Sequence, residues 1–238
     1  MNRILLDASE VQGSGQVTLS DERAWHIRKI LRAKEGDSLR VGIVDGPLGV
    51  ASVQTVGKPD VILHTSFEEE MPCPFPITIL LALPRPRMIN RILSSLSSMG
   101  IERMVLTGSD RVEASYFDSH ALEEARMREH MIEGLMQSGC LTRLPDVRIE
   151  TDLSLAVASL HVADGLKVLF EPGPSEVIPE AGPESVVFAI GPEGGWTTPE
   201  LALFDDAGFK RQSLGAEIYR TDVACIAAMH QLKGLFSS

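Results

Sequence analysis

Two stretches hold the residues best suited to chemistry, VVFAIGPEGGWTTPEL from Val186 and SLGAEIYRTDVACIAAM from Ser213. Each sets a glycine turn, Gly191-Pro192-Glu193-Gly194-Gly195 or Leu214-Gly215, after an apolar run of strand character and before a helical pattern. Glycine lets backbone approach a ligand where a Cβ would collide. Two such turns side by side at the C-terminal ends of parallel strands form a shallow, backbone-lined pocket, the usual ligand position in open α/β sheets. Arg220 stands near them as a permanent cation, and Glu193 and Asp222 as carboxylates that could take a proton. Plainer roles are open to all three. Glu193 could cap the following helix, Asp222 could sit on a helix N-terminus, and Arg220 could pair with either. Taken alone, Gly191, Gly194 and Gly195 equally suit a tight turn.

Other chemistries lack their markers. There is no G-x-G-x-x-G between a strand and a helix, no G-x-x-x-x-G-K-(S/T), no H-E-x-x-H and no G-x-S-x-G. The six histidines are scattered, and Cys73, Cys140 and Cys225 form no C-x-x-C pair, so no metal site is expected.

The two stretches resemble the bacterial 16S ribosomal RNA uracil N3-methyltransferases, of the knotted SPOUT superfamily. That family's first block runs close to IGPEGG(F/W)-x-x-x-E, matched by Ile190 to Trp196 with Glu200. Its second, close to SLG-x-x-I-L-R-x-(E/D)-T-A, is matched by Ser213, Leu214, Gly215, Ile218, Arg220 and Ala224, with Tyr219 in place of the usual Leu and Asp222-Val223 at the Glu-Thr pair. Ala24 to Arg32 with Glu35-Gly36-Asp37, Leu83-Pro84-Arg85, Met99-Gly100-Ile101, Ser109-Asp110-Arg111 and Gln137-Ser138-Gly139 look like further landmarks, so the resemblance spans nearly the whole chain. It departs at Ser98, where the family commonly has Glu, and at Cys140, where Arg is frequent; Arg143 could take that basic role. RNA contacts are the property these departures bear on.

The resemblance implies an S-adenosylmethionine (SAM) site threaded through a trefoil knot, a topology otherwise almost absent from proteins. By the resemblance, Ile190, Gly191, Leu214 and Ile218 hold adenine and ribose with their backbone. Gly194, Gly195 and Ala224 complete the cofactor site, with Gly195 clearing room for a bent methionine arm, and Leu169 forms part of the adenine wall. A charged side chain at Gly195 or Gly215 is expected to abolish binding for want of space. The implied reaction transfers a methyl to uracil N3, which bears a proton and is a poor nucleophile until the proton leaves. It needs a cation for the developing anion, assigned to Arg220, and a base, for which Glu193 and Asp222 are nearest. The substrate implied is 16S ribosomal RNA or the small ribosomal subunit. Rival expectations are a SPOUT enzyme acting on another RNA site and a non-catalytic RNA-binding assembly factor.

The elements that must position these residues fall into two parts. Residues 1–70 are mostly β, with runs at Ile4–Leu6, Gln16–Leu19, Ser38–Val44, Val50–Val56 and Val61–Phe67 between Gly, Asp and Pro turns. One helix interrupts them, with Ser20 as N-cap and Ile27, Ile30 and Leu31 at core spacing. The same spacing gathers Arg28 and Arg32 on another face, a solvated face on the plain reading and, with Lys29, an RNA-docking one on a PUA-like barrel by the resemblance. Residues 71–76, within an acid- and proline-rich run from Glu68 to Pro76, form a linker. Residues 77–238 alternate strands (77–83, 103–107, 147–149, 166–170, 186–190, 209–213) with helices (about 86–99, 118–138, 152–160, 199–207, 221–236), which implies a parallel sheet covered on both faces. The fold class is thus α/β, a knotted SPOUT methyltransferase domain following a smaller PUA-like β-barrel.

Composition sets the remaining bounds. With 238 residues, 44% of them hydrophobic, and no membrane-length apolar run, the chain reads as a cytoplasmic protein with reduced thiols. Its net charge of −11 argues against nonspecific nucleic-acid binding. Basic residues are nonetheless grouped, Arg23 to Lys34 in one place and Arg85, Arg87 and Arg91 in another, so a structured RNA could dock in one orientation. The last helix carries Val223, Cys225, Ile226, Ala227, Met229, Leu232 and Phe236, a wide apolar face that, with the resemblance, predicts a homodimer.

Overall fold

The computed structural model describes residues 3–67, 70–160, 165–177 and 182–236. Glu68 and Glu69 of the acid- and proline-rich run that holds the expected linker, and residues 178–181 of the Pro/Gly-rich stretch after Glu171, lie outside them. Two compact units make up the chain, one of residues 1–73 with 132–144, the other of residues 74–131 with 145–238.

The first unit is a five-stranded sheet in the order β1-β3-β4-β5-β2. Its strands are β1 (Ile4–Leu6), β2 (Gln16–Leu19), β3 (Ser38–Ile43), β4 (Leu48–Val56) and β5 (Val61–Phe67). Alternation places Val17, Leu19, Val41, Ala51, Val53, Val61 and Leu63 inward. Helix α1 (Glu22–His26) closes this core with Ala24 and Ile27. Its cap is Asp21, not Ser20: the Asp21 carboxylate accepts from the Arg23 amide at 2.9 Å. After His26 the winding widens into a π-helical turn, Ile27–Leu31, ending at Arg32 in the left-handed region (φ 52°). The wider turn shifts the register. Ile27 is buried, but Ile30 and Leu31, expected inside, are 55% and 43% exposed, and Ala33 takes the inward place. Residues 132–144 pack here too: Leu135 and Met136 bury with Leu5, and Arg3 donates to the Gly139 carbonyl.

The second unit is a six-stranded parallel sheet in the order β11-β9-β10-β6-β7-β8. It comprises β6 (Phe75–Ala82), α2 (Pro86–Met99), β7 (Ile101–Thr107), α3 (Glu124–Ser138, whose end belongs to the first unit), β8 (Asp146–Glu150), α4 (Leu153–Ser159), β9 (Leu166–Phe170), β10 (Val186–Ile190), α5 (Thr198–Asp206), β11 (Lys210–Gln212) and α6 (Thr221–Lys233). Strand β10 is apolar and buried along its whole length, and β9 departs from this only at Lys167, because helices cover both faces. The expected helix over 118–138 begins only at Glu124, two short 3₁₀ turns at Ala114–Asp118 and His120–Leu122 taking its first part. From β6 the chain runs outward one way through β7 to β8, then crosses to β9, β10 and β11 on the other side. The order therefore reverses between β6 and β10, and a crevice opens outside the C-terminal strand ends at such a switch point. After β11 the chain returns to lay α6 against α2 and β10, the path on which the expected knot depends.

Candidate functional site

A cleft of about 690 Å³ lies at that switch point. Phe170-Glu171-Pro172 at the end of β9, Ile190 to Trp196 at the end of β10, most of the loop from Ser213 to Arg220, and Thr221 and Ala224 of α6 line it, as do Arg85, Arg87, Met88 and Arg111. The two glycine turns thus meet. Of the residues expected to bind cofactor, Ile190, Gly191, Gly194, Gly195, Leu214, Gly215, Ile218 and Ala224 all line the cleft. Leu169 does not: it is fully buried in the core, and its successor Phe170 lines the cleft, since adjacent strand residues face opposite sides.

The glycines serve different ends. A Cβ on Gly191 would stand 3.0 Å from the Trp196 indole nitrogen and 3.2 Å from its ring carbons, so the indole occupies the room a side chain would need. Gly195 has open space, its nearest neighbour at 3.9 Å, and is constrained instead by φ +73°. Gly215 carries both limits, φ +132° and the Glu217 carboxylate at 2.9 Å. Of the two glycines where lack of space was expected, Gly195 has room for a Cβ and Gly215 meets only the end of the Glu217 side chain, while the tight contact lies at Gly191. Trp196 itself is buried, stacked edge-on against Phe204 at 4.8 Å, and its Nε1 has no hydrogen-bond partner among the described residues.

The start of α5 explains the motif glutamate. Glu200 is 7% exposed, and one of its oxygens accepts from the Thr197 amide at 2.7 Å, closing the first turn. Its other oxygen accepts from the Asp110 amide at 2.8 Å, while Thr197 Oγ1 donates to Asp110 at 2.9 Å. Next to Asp110, the Arg111 guanidinium donates to the Gly194 carbonyl, and its Cδ fills the space beside the Gly194 α-carbon. The loop after β7 therefore brackets the Gly191–Gly195 turn from outside. Arg111 was not singled out as a site residue. Its place in Ser109-Asp110-Arg111 marks a landmark, but its partner lies 83 residues away in sequence.

Of the reactive candidates, Glu193 and Arg220 line the cleft and Asp222 does not. Glu193 is not the cap of α5, a place taken by Thr197; its carboxylate lies 3.9 Å from Arg85. Asp222 is the second residue of α6 and only 4% exposed. Its Oδ2 accepts from Arg220 at 3.2 Å and from Arg91 of α2 at 3.1 Å, while Oδ1 is buried without a partner among the described residues. One helix turn on, burial first and the Asp222 charge second push the Cys225 thiol far up, which keeps it protonated. Arg87 is exposed at the rim; Arg28, Lys29 and Arg32 belong to the first unit's helix. At the departures, Ser98 bonds back to the Ser95 carbonyl at 2.7 Å, and Cys140 and Arg143 are exposed.

Known proteins agree in fold and in sequence. Residues 71–233 match the profile of a family described as RNA methyltransferase domain, and residues 19–65 one described as RNA methyltransferase PUA domain. A curated relative from Treponema pallidum, ribosomal RNA small subunit methyltransferase E, is 30% identical over 96% of this chain and 89% of its own. The Borreliella burgdorferi methyltransferase E 1 is 26% identical over 96% and 95%. Among solved structures, a candidate methyltransferase from Legionella pneumophila with bound SAM superposes with a TM-score of 0.78 at 25% identity, covering 98% of this chain and 96% of that one. The Neisseria gonorrhoeae small subunit methyltransferase E shares the fold with a TM-score of 0.75 at 23% identity, covering 99% and 98%. The chain belongs to the ribosomal RNA small subunit methyltransferase E family, pairing an RNA methyltransferase domain with a PUA domain.

Proposed function

We propose that the protein is a cytoplasmic, homodimeric, SAM-dependent methyltransferase that methylates N3 of one uridine in 16S ribosomal RNA. The observation that carries this is the meeting of the two glycine turns in one cleft at the sheet's switch point. The residues present fit the cofactor. The cleft volume suits a ligand of that size, Phe170, Ile190 and Leu214 offer an apolar wall, and the open space at Gly195 leaves room beside backbone. The Trp196 Nε1–H is a buried donor with no acceptor among the described residues. Glu171 and Glu217 bring carboxylates toward a ligand that bears an ammonium and a sulfonium.

When bound, that group supplies an electrophilic methyl on positively charged sulfur. The chain's own part is to bind and orient uracil and to manage its N3 proton. Arg220, on the cleft wall, stabilises negative charge as the N3 proton leaves, and Glu193 at the mouth accepts the proton. Asp222 acts through Arg220, accepting from its guanidinium with an oxygen that also accepts from Arg91. Arg85, Arg87, Arg28, Lys29 and Arg32 contact RNA phosphates. The curated relatives' names, the PUA domain and the SAM-bound fold neighbour support the substrate and cofactor. For dimerisation, the outward residues Val223 and Ile226 of α6, 37% and 38% exposed, offer apolar surface.

Mapping modified nucleotides in ribosomal RNA from a strain lacking the gene tests the reading: one N3-methyluridine of the 16S molecule should vanish and return with the wild-type gene. An unchanged map, or loss of a different modification, overturns it. Arg220→Ala should restore the mark poorly, with kcat lowered about a hundredfold and SAM binding within a few-fold of wild type.

A further inference from the structure

Helix α1 and its π-helical continuation leave an unusual surface. Trp25 is 52% exposed, Ile30 55% and Leu31 43%, while the inward side of the same segment is filled by Ala24, Ile27 and Ala33. Residues four and five apart share a side of so wide a turn, which brings Trp25 together with Lys29 and Ile30. Residues 24–34 hold Arg28, Lys29, Arg32 and Lys34 and no carboxylate, in a chain of net charge −11. Arg23 does not join them: its side chain is 19% exposed and paired with Glu10 and Asp21. Arg28 donates to the Pro59 carbonyl, which ties the segment to the β4–β5 turn. π-turns recur at functional sites, and an exposed indole among cations suits a partner that is both flat and anionic.

We propose that Trp25, with Ile30 beside it, is a stacking platform for unpaired RNA bases, and that Arg28, Lys29 and Arg32 hold the phosphates of the same strand. The inference rests on the RNA methyltransferase reading and adds the chemical form of the RNA. Single strands can lay a base face on an indole while phosphates track nearby cations, whereas a duplex keeps its bases stacked on one another. The patch thus selects an unpaired segment near the target rather than a helix.

The test uses the full-length protein and fluorescently labelled RNA at one fixed salt concentration, comparing a ten-nucleotide single strand with a duplex of the same sequence. Trp25→Ala should weaken single-strand binding about tenfold, leave duplex binding unchanged, and be largely rescued by Trp25→Phe. The double variant Arg28→Glu, Arg32→Glu should weaken both. If Trp25→Ala has no effect while the double variant does, stacking is wrong and phosphate docking stands. Equal loss on strand and duplex also overturns the platform. If neither variant matters, the surface serves another partner and the RNA-docking assignment falls with it. Circular dichroism of each variant checks that the fold is retained, which exposed positions should permit.

Discussion

A single methyl group should separate the two kinds of glycine in the cleft. Gly191→Ala drives a Cβ to within 3.0 Å of the buried indole, so Trp196 must move, and with it the wall it forms. SAM affinity should fall at least tenfold by calorimetry. Gly195→Ala meets no atom closer than 3.9 Å and faces mainly the left-handed penalty of about 1 kcal/mol, so its loss should be milder than that of Gly191→Ala. Equal affinities for both variants and wild type would remove the turn from the binding site. Arg111 belongs to the same scale. Arg111→Ala frees the Gly194 carbonyl and should raise the KM for SAM several-fold with kcat changed less, whereas Arg111→Lys should recover part of the loss. A fall confined to kcat would make it a group acting on the reaction itself. Glu193→Gln complements these: it should lower kcat about a hundredfold while sparing SAM affinity. An unchanged kcat would strike it out as the base.

Among the elements, the ends matter more than the middles. The Glu200 carboxylate, shared between the first turn of α5 and the loop after β7, is the clearest case. Glu200→Ala leaves two amide donors without their acceptor in a nearly buried place, a loss of about 2 kcal/mol in urea unfolding. Glu200→Gln should retain part of it, since one oxygen still accepts. Asp21 at the head of α1 carries a pH signature. Burial, the largest single influence, raises its pKa, but the hydrogen bond and charge of the Arg23 side chain and the backbone amides of Arg23 and Ala24 together lower it further, so the net direction is down. The stabilisation is therefore present above the unfolded carboxylate's pKa and lost as pH falls through the folded one; Asp21→Ala should flatten that acid limb of the stability profile. Most strands were legible from alternation and apolar runs, because burial of one or both faces writes period and length directly into the residues. The cap and the π-turn of α1 were not. Ile27, Ile30 and Leu31 satisfy an α-helical spacing perfectly well, and only the tertiary place of Ala33 reveals that the phase shifts. The cofactor turns were legible because they are short and rich in glycine. Their bracket was not, since an arginine's bond to a carbonyl distant in sequence leaves no local pattern.

For the whole molecule, the remaining question is what covers the outer side of α6. Its inner side is complete: Cys225, Ala228, Met229 and Leu232 are all fully buried. Val223 and Ile226 lie outward, and the loop before the helix adds Ile218, 86% exposed, and Tyr219, 39% exposed. Apolar residues running from the rim of the cleft onto the helix suit a self-complementary contact, which for a stable dimer must bury about 800 Å² on each chain. Such a contact would set each cofactor cleft beside the partner chain and make catalysis depend on pairing. Light scattering at micromolar concentration should therefore report about twice the 25.9 kDa chain mass. Ile226→Glu puts a charge into the contact without touching the inner core, so it should yield folded monomers that have lost most of their activity. A wild-type monomer methylating RNA at full rate would reject the interface, and an active Ile226→Glu dimer would move it elsewhere on the surface.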